Sequence, residues 1–400
     1  MRLLRLQLFD YRNFHRLDLV PGPDASLFVG ANAQGKTNLL EAVYLLATMK
    51  ELRAETDAQV IRREVTDDPI PVARVVGEAE TAAGHLRLEV AIVGRAQTAD
   101  NSGGLIAAKT AKVNGVSRRL SDVVGKLTAV LFTAADIDLV SGTPALRRRY
   151  LDITLSQVDR AYVTARSRLD RVLAQRNHLL KRIREGLSQR EELAFWDGEL
   201  ARDGGYLFAA RAAALGELAT LARDAHASLA PAEALRIDYQ PRLQGETAAF
   251  ADAESAAAAY AHALARGVGR DVAAGMTLQG PHRDDLAFAL DGLPAAGFAS
   301  RAQQRTIALA LRLAEARLLL ARRGEPPVLL LDDILSEMDA QRARSVVDAV
   351  ASYDQLLVTA TDSQRFPDDF LDRAQVFTVQ AGAVTPLSAE TVAAPGTGES

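Results

Sequence analysis

The apolar positions of this chain change period along its length, and each change marks a different kind of element. Near the N-terminus LRLQLFDY and SLFVG read as short strands, while NLLEAVYLLATM carries apolar side chains at helical spacing. Over residues 72–93 apolar and other side chains alternate, as in paired strands. Asn114-Gly115, between two short extended runs, predicts a type I′ hairpin. From Leu155 the steps become three and four. Leu155, Val158, Tyr162, Ala165, Leu169 and Val172 form one seam; Leu193, Trp196, Leu200, Leu207, Ala214 and Leu218 form a second, weakened at Gly204-Gly205. These seams predict an antiparallel helical hairpin, then an Ala-rich helical stretch ending near residue 265. The heptads are too few for a projecting rod, so a compact bundle is expected. After residue 275 strands return in MTLQG and LAFALDG. A helix over 301–323, a buried strand VLLL at 328–331, a helix near 340–351 and a strand LLVTA at 356–360 follow. Residues 97–104 read as a surface loop and 386–400 as a small, polar, disordered tail.

Strands at both ends and helices between them describe an α/β domain interrupted by a helical one. A length of 400 residues agrees with more than one core. The divisions expected are 1–143 and 276–385 for the two parts of the α/β head, 144–275 for the inserted helical arm, and 386–400 for the tail. Composition narrows the chemistry by exclusion. With no cysteine, disulfides, thiolate metal sites and cysteine nucleophiles are ruled out. The histidines are scattered and none pairs at metal-ligand spacing. No apolar run reaches the roughly 20 residues that a membrane helix needs, and the N-terminus does not read as a signal peptide. A cytoplasmic protein is expected. The net charge of −4 confines any nucleic-acid binding to a local patch.

Gly30-Ala31-Asn32-Ala33-Gln34-Gly35-Lys36-Thr37-Asn38 fits the phosphate-loop pattern G-x-x-x-x-G-K-[ST] between a strand and a helix. The glycines let backbone N–H groups close around a phosphate chain, and the helix N-terminus adds its positive end. Lys36 is expected to reach the β- and γ-phosphates of ATP and Thr37 to ligate Mg²⁺. An apolar strand ending in Asp332-Asp333 supplies the second half, a Walker B pair. Asp332 is expected to hold Mg²⁺ and Asp333 to orient or deprotonate the attacking water. Lys36 and Asp332 stand 296 residues apart (332 − 36), too far for a small kinase and suited to a head with a large insertion. The start of the helix at 301 is over-polar: Ser300, Arg301, Gln303, Gln304 and Arg305, where one N-cap suffices. In ATP-binding-cassette folds a signature segment stands at this place and caps the γ-phosphate on a second head. Ser300, Arg301 and Gln303 are expected to act so, in trans.

RLQLFDYRNF, GANAQGKTNLLEAVYLLA, VSGTPALRRRYLD, TLQGPHRDDL, SRAQQRTIALALRLAEA and VLLLDDILSEMD together resemble the RecF family. These are bacterial recombination and repair ATPases related to the heads of structural-maintenance-of-chromosomes proteins. The likeness runs to about residue 385. It implies an ABC/SMC-like P-loop head split by a short coiled-coil-like helical insertion. It implies ATP-driven homodimerisation and weak, DNA-stimulated ATP hydrolysis. Single-stranded and double-stranded DNA would be bound at gaps and junctions, with RecR and RecO as partners in loading RecA, and with links to fork recovery and the SOS response. By position Asp339 matches the D-loop acid, and Arg53 falls where related heads carry an arginine linking nucleotide to DNA. The family marker PHRDD has no assignable chemical role. Ala302 replaces the usual signature glycine, and Thr359 or Thr361 stands in for the switch histidine of transporter ATPases.

Between Gln157 and Glu185 eight basic residues meet three acids, a local charge of +5 (8 − 3). Arg168, Arg171, Lys181 and Arg182 there, with Arg147, Arg148 and Arg149 upstream, are the expected phosphate contacts for DNA. Aromatic interleaving is nearly absent, which does not support stacking on single strands. The alternatives are a transporter's nucleotide-binding subunit, a small-molecule kinase and a phage-defence ATPase of related head.

Overall fold

The computed structural model describes the chain except residues 55, 97–104, 244–249, 335–339, 351–352, 365 and 388–400, and the side chains of 96 and 340–343. The loop expected at 97–104, Asp339, and most of the tail fall outside the described residues. Pro386 and Leu387, assigned to the tail, are ordered instead. The strand Ala383–Pro386 pairs with Ala374–Gln380, and Leu387 N donates to Val376 O.

The chain forms two compact units, Met1–Ala135 with Glu315–Ser400, and Asp136–Ala314. The first holds two six-stranded sheets. One is antiparallel, in the order Phe14–Leu19, Arg2–Tyr11, Val72–Thr81, Gly84–Ala96, Leu105–Val113, Val116–Arg118. The alternation read over 72–93 is its central pair, and the predicted hairpin turn has Asn114 at φ 49 and Gly115 at φ 81. The other sheet is ordered Ala383–Pro386, Ala374–Gln380, Ala25–Val29, Leu356–Ala360, Val328–Asp332, Ala129–Thr133 and is parallel except at its first edge. The strands Val328–Asp332 and Leu356–Ala360, buried throughout, read as near-continuous apolar runs because both faces are covered. The helix Lys36–Thr48 lies between the two sheets and touches both. That placement explains why it is apolar nearly all round rather than along one stripe. The approach is close: a Cβ on Gly77 of the antiparallel sheet would meet Leu46 of this helix at 2.5 Å.

The second unit contains the helices Pro144–Ser156, Arg160–Arg184, Leu193–Leu229 and Ala253–Ala274 and a three-stranded sheet of Leu235–Gln240, Asp285–Leu290 and Leu293–Pro294. Leu155, Tyr162, Leu169, Leu207, Phe208 and Leu264 fill its core. Three expectations are corrected here. The Ala-rich stretch is not helical throughout, because the strand Leu235–Gln240 interrupts it to pair with Asp285–Leu290. MTLQG is not a strand. Thr277 N donates to Asn177 Oδ1 and Leu278 N to Asp271 Oδ1, so side chains take the place of a ladder. Gly204-Gly205 is no weak point: the helix runs through it, and a Cβ on Gly205 would meet the Ala257 backbone N at 2.5 Å. The glycines are where two helices cross closely. The units also divide at 136 and 314 rather than at 144 and 275, because the strand Asp285–Leu290 and the buried Asp284 bind the chain after 275 to the helical unit.

Candidate nucleotide site

The phosphate loop leaves the strand Ala25–Val29 and enters the helix at Lys36. Ala31, Asn32 and Ala33 are exposed, Gln34 and Thr37 are half-buried and Lys36 is buried. Two residues carry the backbone reversal, Ala33 at φ 65 and Gly35 at φ 110. Gly35 is the helix N-cap and supplies no side-chain cap, and the first turn holds no acid. The first-turn N–H groups and the positive helix end are therefore left for an anion. Both loop glycines are also required by packing: a Cβ on Gly30 would meet Val379 O at 2.3 Å, and one on Gly35 would meet the Asn13 amide at 2.4 Å.

Asn13 is a residue that sequence reasoning passed over within RLQLFDYRNF. Its Nδ2 donates to Gln34 O at 2.9 Å, and its Oδ1 accepts from Asn38 Nδ2 at 2.8 Å. Gln34 is held again from the far side, where its Oε1 accepts from Ala381 N at 2.7 Å. The loop is thus braced in its open shape by polar side chains. The ammonium of Lys36 donates to Gly30 O at 2.6 Å and Ala31 O at 2.9 Å, curling back over the loop. Burial pushes the Lys36 pKa down, and the Asp333 and Asp332 charges oppose that.

Asp332 ends the strand Val328–Asp332, and tertiary structure brings it to Thr37. Thr37 Oγ1 lies 2.8 and 2.9 Å from its two carboxylate oxygens. Thr359 Oγ1 donates to Asp332 Oδ1 at 2.9 Å and accepts from Asp333 N at 3.0 Å. Arg53 Nη2 reaches Asp332 Oδ2 at 3.2 Å. Asp333 sits in the left-handed region, φ 53, which turns its carboxylate away from the strand's alternation. Of the two threonines proposed for the switch position, Thr359 makes this contact and Thr361 is exposed. Glu41, a buried acid on the helix Lys36–Thr48, lies 3.5 Å from Arg53 Nε and accepts from Arg12 Nη2 at 3.2 Å. Burial pushes its carboxyl up, against the pull of Arg12 and Arg53. Neither Glu41 nor Arg12 was legible as a site residue: Glu41 is the lone acid in a largely apolar helix, and Arg12 stands in the turn between two strands.

A hard divalent cation such as Mg²⁺ takes oxygen ligands, commonly one carboxylate with hydroxyl and substrate oxygens. The Thr37 hydroxyl and the Asp332 carboxylate are that donor set, already in contact, so the residues fit.

In the second unit the signature segment starts the helix Arg301–Arg323. Ser300 and Gln303 form a reciprocal capping box: Gln303 N donates to Ser300 Oγ at 3.3 Å and Ser300 N to Gln303 Oε1 at 2.8 Å. Gln304 is buried and donates to the Ala299 and Ala295 carbonyls. Arg301 and Ala302 are exposed. Part of the polar excess is therefore spent on the helix start itself.

The basic strip is weaker than its sequence suggests. Arg147 is buried, bidentate on Asp285 at 2.6 and 3.0 Å, and is removed from the set of candidate DNA contacts. Arg168 is paired with Asp203, Arg166 with Asp152, and Arg176 is wholly buried against Asp197 and Asp271. Counting charges along one helix missed these acids because they come from other elements. Arg148 is half-buried and donates to Asp284 O. Arg149, Arg171, Lys181 and Arg182 remain exposed. PHRDD finds its role in the same network. Asp284 accepts from Arg211 Nη1 at 2.9 Å, from the Tyr239 hydroxyl and from Arg242 N, and Arg211 also bonds Asp152, Tyr162 and Pro281 O. It is a structural hub of the second unit.

A phosphate loop on a helix N-terminus, a parallel sheet, and an acid-ending strand set against the loop threonine define an ATPase head of the ABC type. The chain belongs to the RecF family. Residues 2–384 match the family described as RecF/RecN/SMC N terminal domain. The chain is 42% identical over 394 residues to the DNA replication and repair protein RecF of Roseiflexus castenholzii, covering 96% of this chain and 100% of that one. It is 43% identical over 397 residues to the same-named protein of Chloroflexus aurantiacus, covering 96% and 99%. A solved structure of the recombination mediator protein RecF-ATP in the RecFOR pathway matches with TM-score 0.83 at 26% identity, covering 97% of this chain and 98% of that one. The Smc head of Pyrococcus yayanosii matches with TM-score 0.53 at 12% identity, covering 98% of each, a likeness of fold alone. Among the described residues no helix is long and apolar enough to cross a membrane.

Proposed function

We propose that this protein is an ATP-dependent DNA-binding clamp of recombinational repair and replication-fork recovery, acting in the cytoplasm. The contact of Thr37 with Asp332, across 295 residues of chain, carries the reading. It assembles both halves of a nucleotide site from segments that share no local sequence. Backbone N–H groups of the loop and the Lys36 ammonium receive the phosphates of ATP, with Lys36 leaving the loop carbonyls for them. Thr37 and Asp332 hold Mg²⁺, which when bound neutralises charge on the β- and γ-phosphates. Asp333 orients the water that attacks. Arg53, beside Asp332 and Glu41, has its side chain about half exposed for DNA. Ser300 and Arg301, with Gln303 shaping the segment, cap a nucleotide on a second copy, and Asp339 lies at that seam. Homodimers then form with ATP at gaps and single-strand/double-strand junctions. RecR and RecO take part in loading RecA, within the SOS response. Arg148, Arg149, Arg168, Arg171, Lys181 and Arg182 are the remaining candidates for DNA phosphate contacts.

The reading is tested by ATP turnover of the full chain with and without gapped duplex. A weak basal rate that rises several-fold on gapped DNA is expected. A rate indifferent to any DNA, together with no ATP-dependent DNA retention, overturns it.

A further inference from the structure

We infer that Glu233, backed by His226, is a positioning residue for the signature segment, fixing Gln303 so that the Ser300 hydroxyl is the group turned to nucleotide. The inference rests on the reading that residues 300–303 cap a partner's phosphate. Gln303 has its amide engaged at both ends, the oxygen and one of its two N–H donors, which fixes the plane of the amide. Its Oε1 accepts from Ser300 N at 2.8 Å, and its Nε2 donates to Glu233 Oε1 at 3.0 Å. A hydroxyl has one proton and two lone pairs. Ser300 Oγ uses a lone pair on Gln303 N, at 3.3 Å, and its proton stays available as a donor. Gln303, fixed at both ends of its amide, serves as the brace, and Ser300, whose hydroxyl proton is uncommitted, as the contact. An amide so used keeps its orientation only if something tells oxygen from nitrogen. Glu233 does so, because a carboxylate accepts and cannot donate.

Glu233 is itself placed with care. Its Oε2 lies 3.0 Å from His226 Nε2, and a carboxylate there requires the proton on that nitrogen. His226 is fully buried in the last turn of the helix Leu193–Leu229. The turn that follows is closed by Ala230 N on His226 O at 2.7 Å and by Glu233 N on Ala230 O at 3.1 Å. Glu233 brings a negative charge near a site meant for an anion. Its two oxygens are directed instead at an imidazole and an amide, both of which donate to it. The long helix of the second unit thus ends in a device that sets the first turn of the helix Arg301–Arg323.

Four variants test this in the full chain: Glu233→Ala, Glu233→Gln, Gln303→Glu and the double exchange Glu233→Gln with Gln303→Glu. Affinity for a fluorescent ATP analogue, sedimentation with ATP, and turnover are read for each, with thermal unfolding as the check on folding. Glu233→Ala and Gln303→Glu are expected to weaken ATP-driven dimerisation about tenfold, the usual size for losing a hydrogen bond to a charged group. ATP affinity of the single head is expected to stay unchanged. Glu233→Gln keeps an acceptor for Gln303 and stays near the parent. The double exchange restores a donor–acceptor pair of opposite sense and recovers most of the loss, which a general loosening would not do. Glu233→Ala or Gln303→Glu dimerising like the parent, or a double exchange no better than Gln303→Glu alone, overturns the inference. Ser300→Arg is run alongside. If it dimerises normally, the signature reading fails. If it blocks dimerisation while Glu233→Ala does not, only the role of Glu233 fails.

Discussion

Asp333 shows how a single residue's backbone decides which experiment is clean. At φ 53 it occupies the left-handed region, which Asn and Asp tolerate and most side chains do not. Asp333→Ala therefore adds backbone strain of about 1 kcal/mol to the loss of the carboxylate. Asp333→Asn removes the charge alone. If Asp333 orients water while Asp332 holds the metal, Asp333→Asn keeps ATP affinity, lowers turnover by two or more orders of magnitude (on the order of 100-fold or more), and leaves a dimer that persists with ATP. Sedimentation checks this; a nucleotide-bound variant that stays monomeric contradicts the assignment. His282 offers a test of the PHRDD hub. Burial pushes its imidazole down to about 4, and it contacts Thr277 O. Between pH 6.5 and 4 the unfolded chain binds a proton there that the folded chain does not. Stability is then lost as pH falls through that window, by on the order of 3 kcal/mol at its foot. Glu41, Glu51 and Asp284, pushed up by burial, work in the opposite direction. The difference between the parent and His282→Gln in denaturant titrations isolates the histidine: the gap is expected to close as pH falls from 6.5 to 4.

For elements, the helix Leu193–Leu229 contains its own control. Ala is favoured over Gly in a helix interior by about 1 kcal/mol. At Gly198 and Gly216 nothing lies within 4 Å of an added Cβ, so Gly→Ala at either is expected to stabilise by up to about that amount. At Gly205 the same methyl would meet the Ala257 backbone at 2.5 Å, and backbone cannot step aside. Overpacking of about 1–3 kcal/mol then outweighs propensity, and Gly205→Ala should destabilise. Opposite shifts in chemical-denaturation midpoint for Gly216→Ala and Gly205→Ala are the expected result. Equal shifts of one sign would mean that the helices Leu193–Leu229 and Ala253–Ala274 do not cross there.

For the whole molecule, the proposed composite site makes function a property of two copies. Ser300→Arg crowds the capping contact and leaves the phosphate loop intact; Lys36→Met does the reverse. Each alone should lose turnover. In a mixture, one of the two sites in a mixed dimer joins an intact loop to an intact signature, so ATPase activity should reappear on mixing, given that one occupied site supports dimerisation. Turnover by Ser300→Arg alone at the parent rate and equal ATP occupancy would reduce the segment to a helix start. ATP should drive dimerisation and ADP should not, because ADP lacks the phosphate that Ser300 and Arg301 hold.

Much of this protein was determined by short-range chemistry and so could be read from the sequence. The phosphate loop, the acid-ending strand, the type I′ turn at Asn114-Gly115 and the helix from Arg301 depend on φ preference, local hydrogen bonds and side-chain period. What sequence left open depended on partners distant in the chain. Whether Gly204-Gly205 weakened a helix or let two helices meet was settled by Ala257 and Tyr260. The strand Leu235–Gln240 exists because Asp285–Leu290 is there to pair with it. The charge of the strip 157–185 was overstated because its neutralising acids, Asp152, Asp197, Asp203 and Asp271, lie outside it. The choice between Thr359 and Thr361 was settled only by the contact of Thr359 with Asp332, and the braces Asn13 and Glu41 carry no motif of their own. Their role arises only where the parallel sheet brings the strand Val328–Asp332 near the helix that starts at Lys36, since a hydrogen bond depends on distance and direction and not on order along the chain.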